Sequence, residues 1–337
     1  MRVRTRRLVG IGAAAAATMA TVTVATTFTP TLASAGTPAT ITVDTTDDEF
    51  NEDGDCSLRE AIVSANDNVQ IDDCEKGEDA DIIVIPAGTY VLSIPSANVG
   101  DDQEHGDLDI DDSVTLQGAG ASSTTIDADG ISRVVEISGG NTVLIEALTL
   151  TGGDIDQDLD DESQNGGGIY SEAALTLRDS VVTANRAGGS GGGIDSGEEL
   201  ASVRLERSVV SNNIAGFEGG GIRQDNDYTD VTVIDSTISG NTAAAGGGIH
   251  IDNGTSVSVE GSTISGNTAT GAFDDVPLFR GQIRCGSGGG YNQDGPSSPM
   301  STREPPKNSL RFSAKVAAAH VLAASFVARA QDTPAPP

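Results

Sequence analysis

The fold of this chain is decided by a stretch that repeats along the sequence, residues 236–249, which reads Ser-Thr-Ile-Ser-Gly-Asn-Thr-Ala-Ala-Ala-Gly-Gly-Gly-Ile. Its final Gly-Gly-Gly-Ile also occurs upstream, at 166–169, 191–194 and 219–222. Its opening Ser-to-Asn motif occurs with small changes at 180–185, 208–213 and 262–267. Both motifs return every 25 to 28 residues, so the chain is built from one repeating structural unit.

The residues between the two motifs predict strands and exclude helical repeats. Each apolar run is short and alternates with polar residues at a period of two, which is typical of a half-buried strand. Three short strands separated by Gly or Asn turns would make one coil. The sequence therefore predicts an all-β fold, a parallel β-helix or solenoid, in which equivalent residues of successive coils stack.

Stacking predicts two internal ladders. Valine and isoleucine side chains should form an inward aliphatic ladder, made of Val182, Val210, Ile238 and Ile264. Asparagines at a turn should form an amide ladder in which each side chain bonds to the next coil, made of Asn185, Asn213, Asn241 and Asn267.

Composition excludes several functional classes. The 337 residues include 50 acidic and 19 basic side chains, a formal net charge of −31. Nucleic-acid binding and docking on anionic lipid both require a basic surface, so neither is expected. Aromatic residues make up 3% of the chain and tryptophan is absent, which argues against a thick aromatic core.

The N-terminus predicts export. Arginines at positions 2, 4, 6 and 7 precede an apolar stretch that starts at Leu8, and Ala33-Ser34-Ala35 has the small-x-small pattern of a cleavage site. We interpret residues 1–35 as a signal peptide, with an ordered N-terminal helix as the alternative, and expect a secreted or surface-located monomer. No later stretch reaches the roughly 18 apolar residues of a membrane span, so no transmembrane anchor is expected.

Two cysteines lie close together in the N-terminal region. Cys56 and Cys74 are 18 residues apart, and outside the cytoplasm we expect them to form a disulfide. The alternative is a pair of buried free thiols. A third cysteine, Cys285, has no evident partner.

Residues 36–100 are predicted to form an N-terminal cap and the first coil, and residues 101–272 the remaining coils. Ser57-Leu-Arg-Glu60 is a capping box, so a helix should start there and cover the apolar end of the stack.

The stretch Cys56-Ser-Leu-Arg-Glu-Ala-Ile62 resembles the signature of the CSLREA-domain proteins, and Pro86-Ala-Gly-Thr-Tyr90 and the Gly-Gly-Gly-Ile repeats are also similar to that family. The resemblance implies an exported bacterial protein with a right-handed, pectin-lyase-like β-helix. It also implies a surface role, often adhesive, and brings no established catalytic site.

Residues 273–337 differ from the repeats. They carry 5 acidic and 7 basic side chains, against 45 and 8 in residues 36–272, and prolines interrupt them. The sequence predicts a partly disordered tail, with disorder over most of 293–313. A helical C-terminal cap with a tail and a shifted reading frame that truncates the solenoid are equally open interpretations of the segment.

Two acidic stretches are candidate calcium sites. Glu49, Asn51 and Asp53, with Gly54 and Glu60, occupy positions 1, 3, 5, 6 and 12 of an EF-hand-like frame, although Glu60 is also needed by the capping box. The second set comprises Asp154, Asp156 and Asp158. The alternative is that these carboxylates are solvated and only keep the protein soluble.

Parallel β-helices also carry polysaccharide lyases, so catalysis must be considered. Asp195, Asp225, Asp227 and Asp252 follow the Gly-Gly-Gly-Ile motifs at different offsets, which predicts no common carboxylate site. We therefore expect a structural or binding protein whose partners are glycans or surface proteins, with no catalysis. The alternative is a polysaccharide lyase or hydrolase of the pectate-lyase type, which would place a carboxylate trio and an arginine on one groove.

Overall fold

The computed structural model describes residues 37–95, 103–155, 164–197, 201–225, 229–251 and 256–271, and the backbone of 282–285. In these residues every strand pairing is parallel and one short helix lies between the first two strands of the chain, which confirms the predicted all-β parallel β-helix. The expected signal peptide, residues 1–35, and all of the 273–337 segment except that backbone stretch lie outside the described residues.

Two long sheets run the length of the stack. The first sheet has nine strands, in the spatial order β1 (Thr40–Thr42), β2 (Asp81–Ile85), β5 (Val114–Gly118), β8 (Thr142–Glu146), β12 (Ala174–Arg178), β16 (Ser202–Glu206), β20 (Asp230–Ile234), β24 (Ser256–Glu260) and β27 (Gln282–Cys285). The second sheet has seven, β3 (Gly88–Val91), β6 (Thr124–Asp127), β9 (Thr149–Thr151), β13 (Val181–Thr183), β17 (Val209–Ser211), β21 (Thr237–Ser239) and β25 (Thr263–Ser265).

Two shorter sheets complete the coil. The third sheet has six strands, β4 (Leu108–Ile110), β7 (Val135–Ile137), β11 (Ile169–Ser171), β15 (Ile194–Ser196), β19 (Ile222–Gln224) and β23 (Ile249–Ile251). The fourth sheet consists of two-residue strands, β10 (Asp154–Ile155), β14 (Arg186–Ala187), β18 (Ile214–Ala215), β22 (Thr242–Ala243) and β26 (Thr268–Ala269). The prediction of three strands per coil missed this fourth sheet, because two residues are too few to show alternation.

The aliphatic ladder lies in the interior. Val210, Ile238 and Ile264 are register partners on β17, β21 and β25. Ile238 is fully buried, and alternating residues of the same strands face outward. Burying such a side chain contributes about 1.5–3 kcal/mol, so the repeated ladder is a main source of stability.

The asparagine ladder follows the second sheet at a turn. The amide of Asn213 donates to Oδ1 of Asn241 at 3.0 Å and to the carbonyl of Val182 at 3.1 Å. Its own Oδ1 accepts from the backbone N–H and the amide of Asn185, at 3.0 and 3.1 Å. Asn267 continues the pattern below Asn241. A buried polar column is thus satisfied by its own repetition.

A serine ladder, which sequence reasoning did not predict, runs beside it. The backbone N–H groups of three serines each donate to the hydroxyl of the serine one coil further on, from Ser180 to Ser208, Ser236 and Ser262. The opening serine of the repeat is therefore a hydrogen-bonding residue at the corner before the second sheet.

Helix α1 (Leu58–Asp67) covers the first coils. Ser57 is its N-cap, with the reciprocal Glu60 capping box, and Asn68 ends the helix in the left-handed region at a φ of 54°. Cys56, directly before the helix, is linked to Cys74 by a disulfide. Among the described residues no helix is long and apolar enough to span a membrane.

The fully buried Arg59 connects this helix to the coils through an ion pair and hydrogen bonds. Its guanidinium pairs with Asp48 at 2.8 Å and donates to the carbonyls of Gly106 and Asp107, both at 2.9 Å. Charge-assisted hydrogen bonds of this kind are about twice as strong as neutral ones. The third residue of the capping box thus connects the cap to the solenoid.

Candidate functional site

One row of outward side chains on the third sheet gathers ionisable and aromatic groups. The central residues of its six strands are register partners, in the order Asp109, Glu136, Tyr170, Asp195, Arg223 and His250. We call these six residues the polar row. Strand spacing places neighbouring members about 4.8 Å apart.

The Gly-Gly-Gly-Ile motif explains why two members of this row are buried although the row faces outward. Gly191 has a φ of +66°, and a Cβ on it would lie 2.5 Å from the Cβ of Asp195. A Cβ on Gly219 would likewise lie 2.7 Å from the Cβ of Arg223. Only glycine allows the turn to fold back over the residue four positions later. As a result, Asp195 is fully buried and His250 is 2% exposed.

Arg223 is shared by three carboxylates. Its guanidinium lies 3.3 Å from Oδ2 of Asp195 and 3.6 Å from Oε2 of Glu218, and it also contacts Asp225. The other neighbour of Glu218 is His250, at 3.5 Å between Oε2 and Nε2. Arg223 therefore lies at the centre of a compact ionic cluster.

Burial and charge act in opposite directions in this cluster. Burial raises the pKa of Asp195 to about 6, although Arg223 lowers it. Burial alone would lower the pKa of Arg223, but Asp195, Asp225 and Glu218 together raise it. Arg223 thus stays charged, and its charge is balanced inside the protein.

A second ionic group lies at the other end of the row. The buried Arg133 pairs with Asp107 at 3.2 Å and with Glu136 at 2.5 Å, and its guanidinium carbon lies 5.3 Å from the ring centroid of Tyr170. Carboxylates of Asp107, Asp109 and Glu136 lie within 4.8 Å of one another. Because Arg133 pairs with Asp107 and Glu136, this group is a salt-bridge network in which carboxylates outnumber the arginine.

Asp195 and Asp225 follow their isoleucines at different offsets and are not register partners, yet both contact Arg223. Asp195 and Arg223 occupy the same repeat position, directly after the isoleucine, which a comparison of the aspartates alone does not show. Asp227 and Asp252 lie outside the described residues.

The outer face of the second sheet has a different character. From β9 to β25, all ten outward positions are threonine, serine or valine, and each is partly exposed: Thr149, Thr151, Val181, Thr183, Val209, Ser211, Thr237, Ser239, Thr263 and Ser265. We call these ten residues the hydroxyl face. Side chains of neighbouring coils form a hydrogen bond on this face, where the hydroxyl oxygens of Thr183 and Ser211 are 3.1 Å apart. By contrast, the first sheet's outer face carries the ion pairs Glu146–Arg178 and Arg178–Glu206.

The N-terminal calcium candidates come together in part. Glu49 and Asp53 have carboxylate oxygens within 4.8 Å of each other and of Asp55, and we call these three the acidic cluster. Burial, followed by repulsion from Asp53, raises the pKa of both Glu49 and Asp55. The amide of Asn51 donates to Glu49 at 2.8 Å. The predicted calcium site did not include Asp55, although Asp55 continues the two-residue spacing of Glu49, Asn51 and Asp53.

The remaining calcium candidates are not assembled in the described structure. Glu60 accepts from the backbone N–H groups of Asn51 and Ser57, at 2.9 and 3.0 Å, so the capping box occupies it. Asp154 lies on β10, 3.9 Å from Arg186. Asp156 and Asp158 lie outside the described residues.

The sequence matches no protein-family model, no curated protein and no solved structure.

Proposed function

We propose that this chain is an exported β-helix protein that binds an uncharged, polyhydroxylated polymer through its hydroxyl face and catalyses no reaction. Export is supported by the signal-peptide pattern of residues 1–35 and by the disulfide between Cys56 and Cys74. The CSLREA-like stretch 56–62 supports a surface role and the right-handed winding of the coil.

The hydroxyl face is the observation that carries this proposal. Its side chains repeat about every 4.8 Å along the stack and about every 6.6 Å along each strand, so a ligand with its own regular repeat can meet many of them at once. The ten positions carry no charge in a protein of net charge −31. A neutral glycan fits this face, whereas the acidic remainder of the surface repels polyanions.

The geometry of the polar row supports binding over catalysis. A lyase acting on uronates requires a basic group that reaches the substrate and carboxylates that hold a cation. Here Arg223 and Arg133 are committed to internal carboxylates, and Asp195 is fully buried. The carboxylates around Arg223 raise its pKa, which disfavours the neutral guanidine that a base requires, and their surplus negative charge repels a uronate.

A pair of matched variants tests the proposal. Thr237 on β21 and Thr232 on β20 belong to the same coil and are both partly exposed, but they lie on different sheets. We expect binding to a panel of insoluble neutral polysaccharides to fall at least tenfold in Thr237→Glu and to stay unchanged in Thr232→Glu. Equal effects would exclude the hydroxyl face. Release of unsaturated products from a uronate polymer would favour the lyase alternative.

Calcium is the second proposed ligand, supported by the acidic cluster. Three carboxylates within 4.8 Å repel one another, and a divalent ion would relieve that repulsion. At a concentration about 100 times the dissociation constant, binding to the folded state alone adds about 2.7 kcal/mol. We expect calcium to raise the unfolding temperature above that in sodium chloride of equal ionic strength. The difference should disappear in Asp53→Asn/Asp55→Asn, and equal midpoints for the wild type would reject the site.

A further inference from the structure

One column of inward side chains on the third sheet turns polar in its middle. From β4 to β23 it consists of Ile110, Ile137, Ser171, Ser196, Gln224 and Ile251. All six are at most 1% exposed, so the three polar members lie inside the solenoid. Buried polar atoms almost always have a hydrogen-bond partner, either in the protein or in an ordered water.

Two atoms of this column lack such a partner. Within the described part of the chain, neither Oγ of Ser196 nor Oε1 of Gln224 makes a hydrogen bond. The hydroxyl of Ser171 is different, since it accepts from the N–H of Ala173 at 3.2 Å. Ser196 and Gln224 are register partners on adjacent strands, so their side chains enter the interior side by side.

The orientation of Gln224 is fixed by its nitrogen. Nε2 donates to the carbonyl of Ala201 at 3.3 Å. Exchanging the amide oxygen and nitrogen would place Oε1 beside that carbonyl oxygen, and two acceptors cannot form a hydrogen bond with each other. Oε1 therefore needs a donor. The hydroxyl of Ser196 can donate or accept, but in this geometry it does not reach the amide directly.

The side chains in the column also become smaller at this level. The preceding coil places isoleucine in it at Ile137, whereas the next two coils place the smaller serine at 171 and 196. Protein interiors are close-packed, and space lined by unpaired polar atoms is where ordered water binds. We infer that one buried water molecule bridges Oγ of Ser196 and Oε1 of Gln224. The water donates to the amide oxygen and exchanges a second hydrogen bond with the serine hydroxyl.

A high-resolution crystal structure tests this site directly. We expect a density peak about 3 Å from both atoms. In solution, oxygen-17 magnetic relaxation dispersion should detect a long-lived water, because the site is closed to solvent. Ser196→Ala should lower its occupancy at least twofold, and Ser196→Ala/Gln224→Met should remove it. Ser211→Ala, on the partly exposed hydroxyl face, is the matched control and should leave it unchanged.

Two results would overturn the inference. One is a direct hydrogen bond between Ser196 and Gln224 with no density between them. The other is a long-lived water signal that persists unchanged in the double variant, which would place the water elsewhere. If the double variant does not fold, Ser196→Ala decides the question, since it removes a single buried atom.

Discussion

Removing one member of the asparagine ladder should destabilise the protein far more than changing its sequence neighbour. Asn213 is fully buried, and its side chain takes part in four hydrogen bonds with Asn185, Val182 and Asn241. In Asn213→Ala the backbone N–H of Asn185 loses the acceptor that Asn213 supplies, and the carbonyl of Val182 loses its side-chain donor. The two stranded groups cost about 1–3 kcal/mol each, so we expect a loss of about 2–6 kcal/mol.

The adjacent Asn212 provides the matched control. It is exposed, has a φ of 57°, and aligns with Gly240 and Gly266 of the next two coils. Asn212→Gly therefore copies the local sequence of its neighbours and should change stability by no more than about 0.5 kcal/mol. Urea unfolding followed by circular dichroism gives both values, provided that the slopes agree. Equal stability of the two variants would show that the asparagine ladder does not support the turn.

Three further outcomes follow from the structure. Ile238→Ala, which empties part of the fully buried ladder, should cost about 2–5 kcal/mol by the same unfolding assay; a loss below 1 kcal/mol would contradict the register. Mass spectrometry of unreduced peptides from exported protein should find Cys56 joined to Cys74, and replacing both by serine should cost about 3 kcal/mol; free thiols would contradict the link. Because the pKa of Asp195 rises on folding from 3.8 to about 6, its stabilising contribution is complete below pH ~4 and is lost as the pH rises through about 6. The unfolding free energy of wild type relative to Asp195→Asn should therefore fall by about 3 kcal/mol between pH 4 and 7; a constant difference would show that Asp195 does not titrate there.

The sequence was sufficient to predict the architecture, because a solenoid repeats its local environment. Alternation between the two motifs predicts the strands, and the regular spacing of Asn185, Asn213 and Asn241 predicts that they lie in one column. The capping box at Ser57 was equally readable, since a helix start depends on side chains three residues apart. Such features are local or periodic, and a linear sequence displays both.

The candidate site depended on information that the sequence displays poorly. Asp195 and Arg223 are 28 residues apart and chemically unlike, so no repeated residue type revealed that they are neighbours. Their position was periodic, but their burial was not predictable, because it depends on how closely the turn at Gly191 folds over the strand. The same holds for Asp55, which joins the acidic cluster through the path of its loop.

The sequence by itself therefore determined the parallel β-helix, its aliphatic and asparagine ladders and its helical cap, because each depends on a period or a short motif. Only the tertiary structure decided which side chains remain available for chemistry. It showed that Arg223 pairs with nearby carboxylates and that the hydroxyl face is partly exposed. The physical reason is that the charge state and accessibility of a group depend on everything packed around it, and most of those neighbours come from other coils.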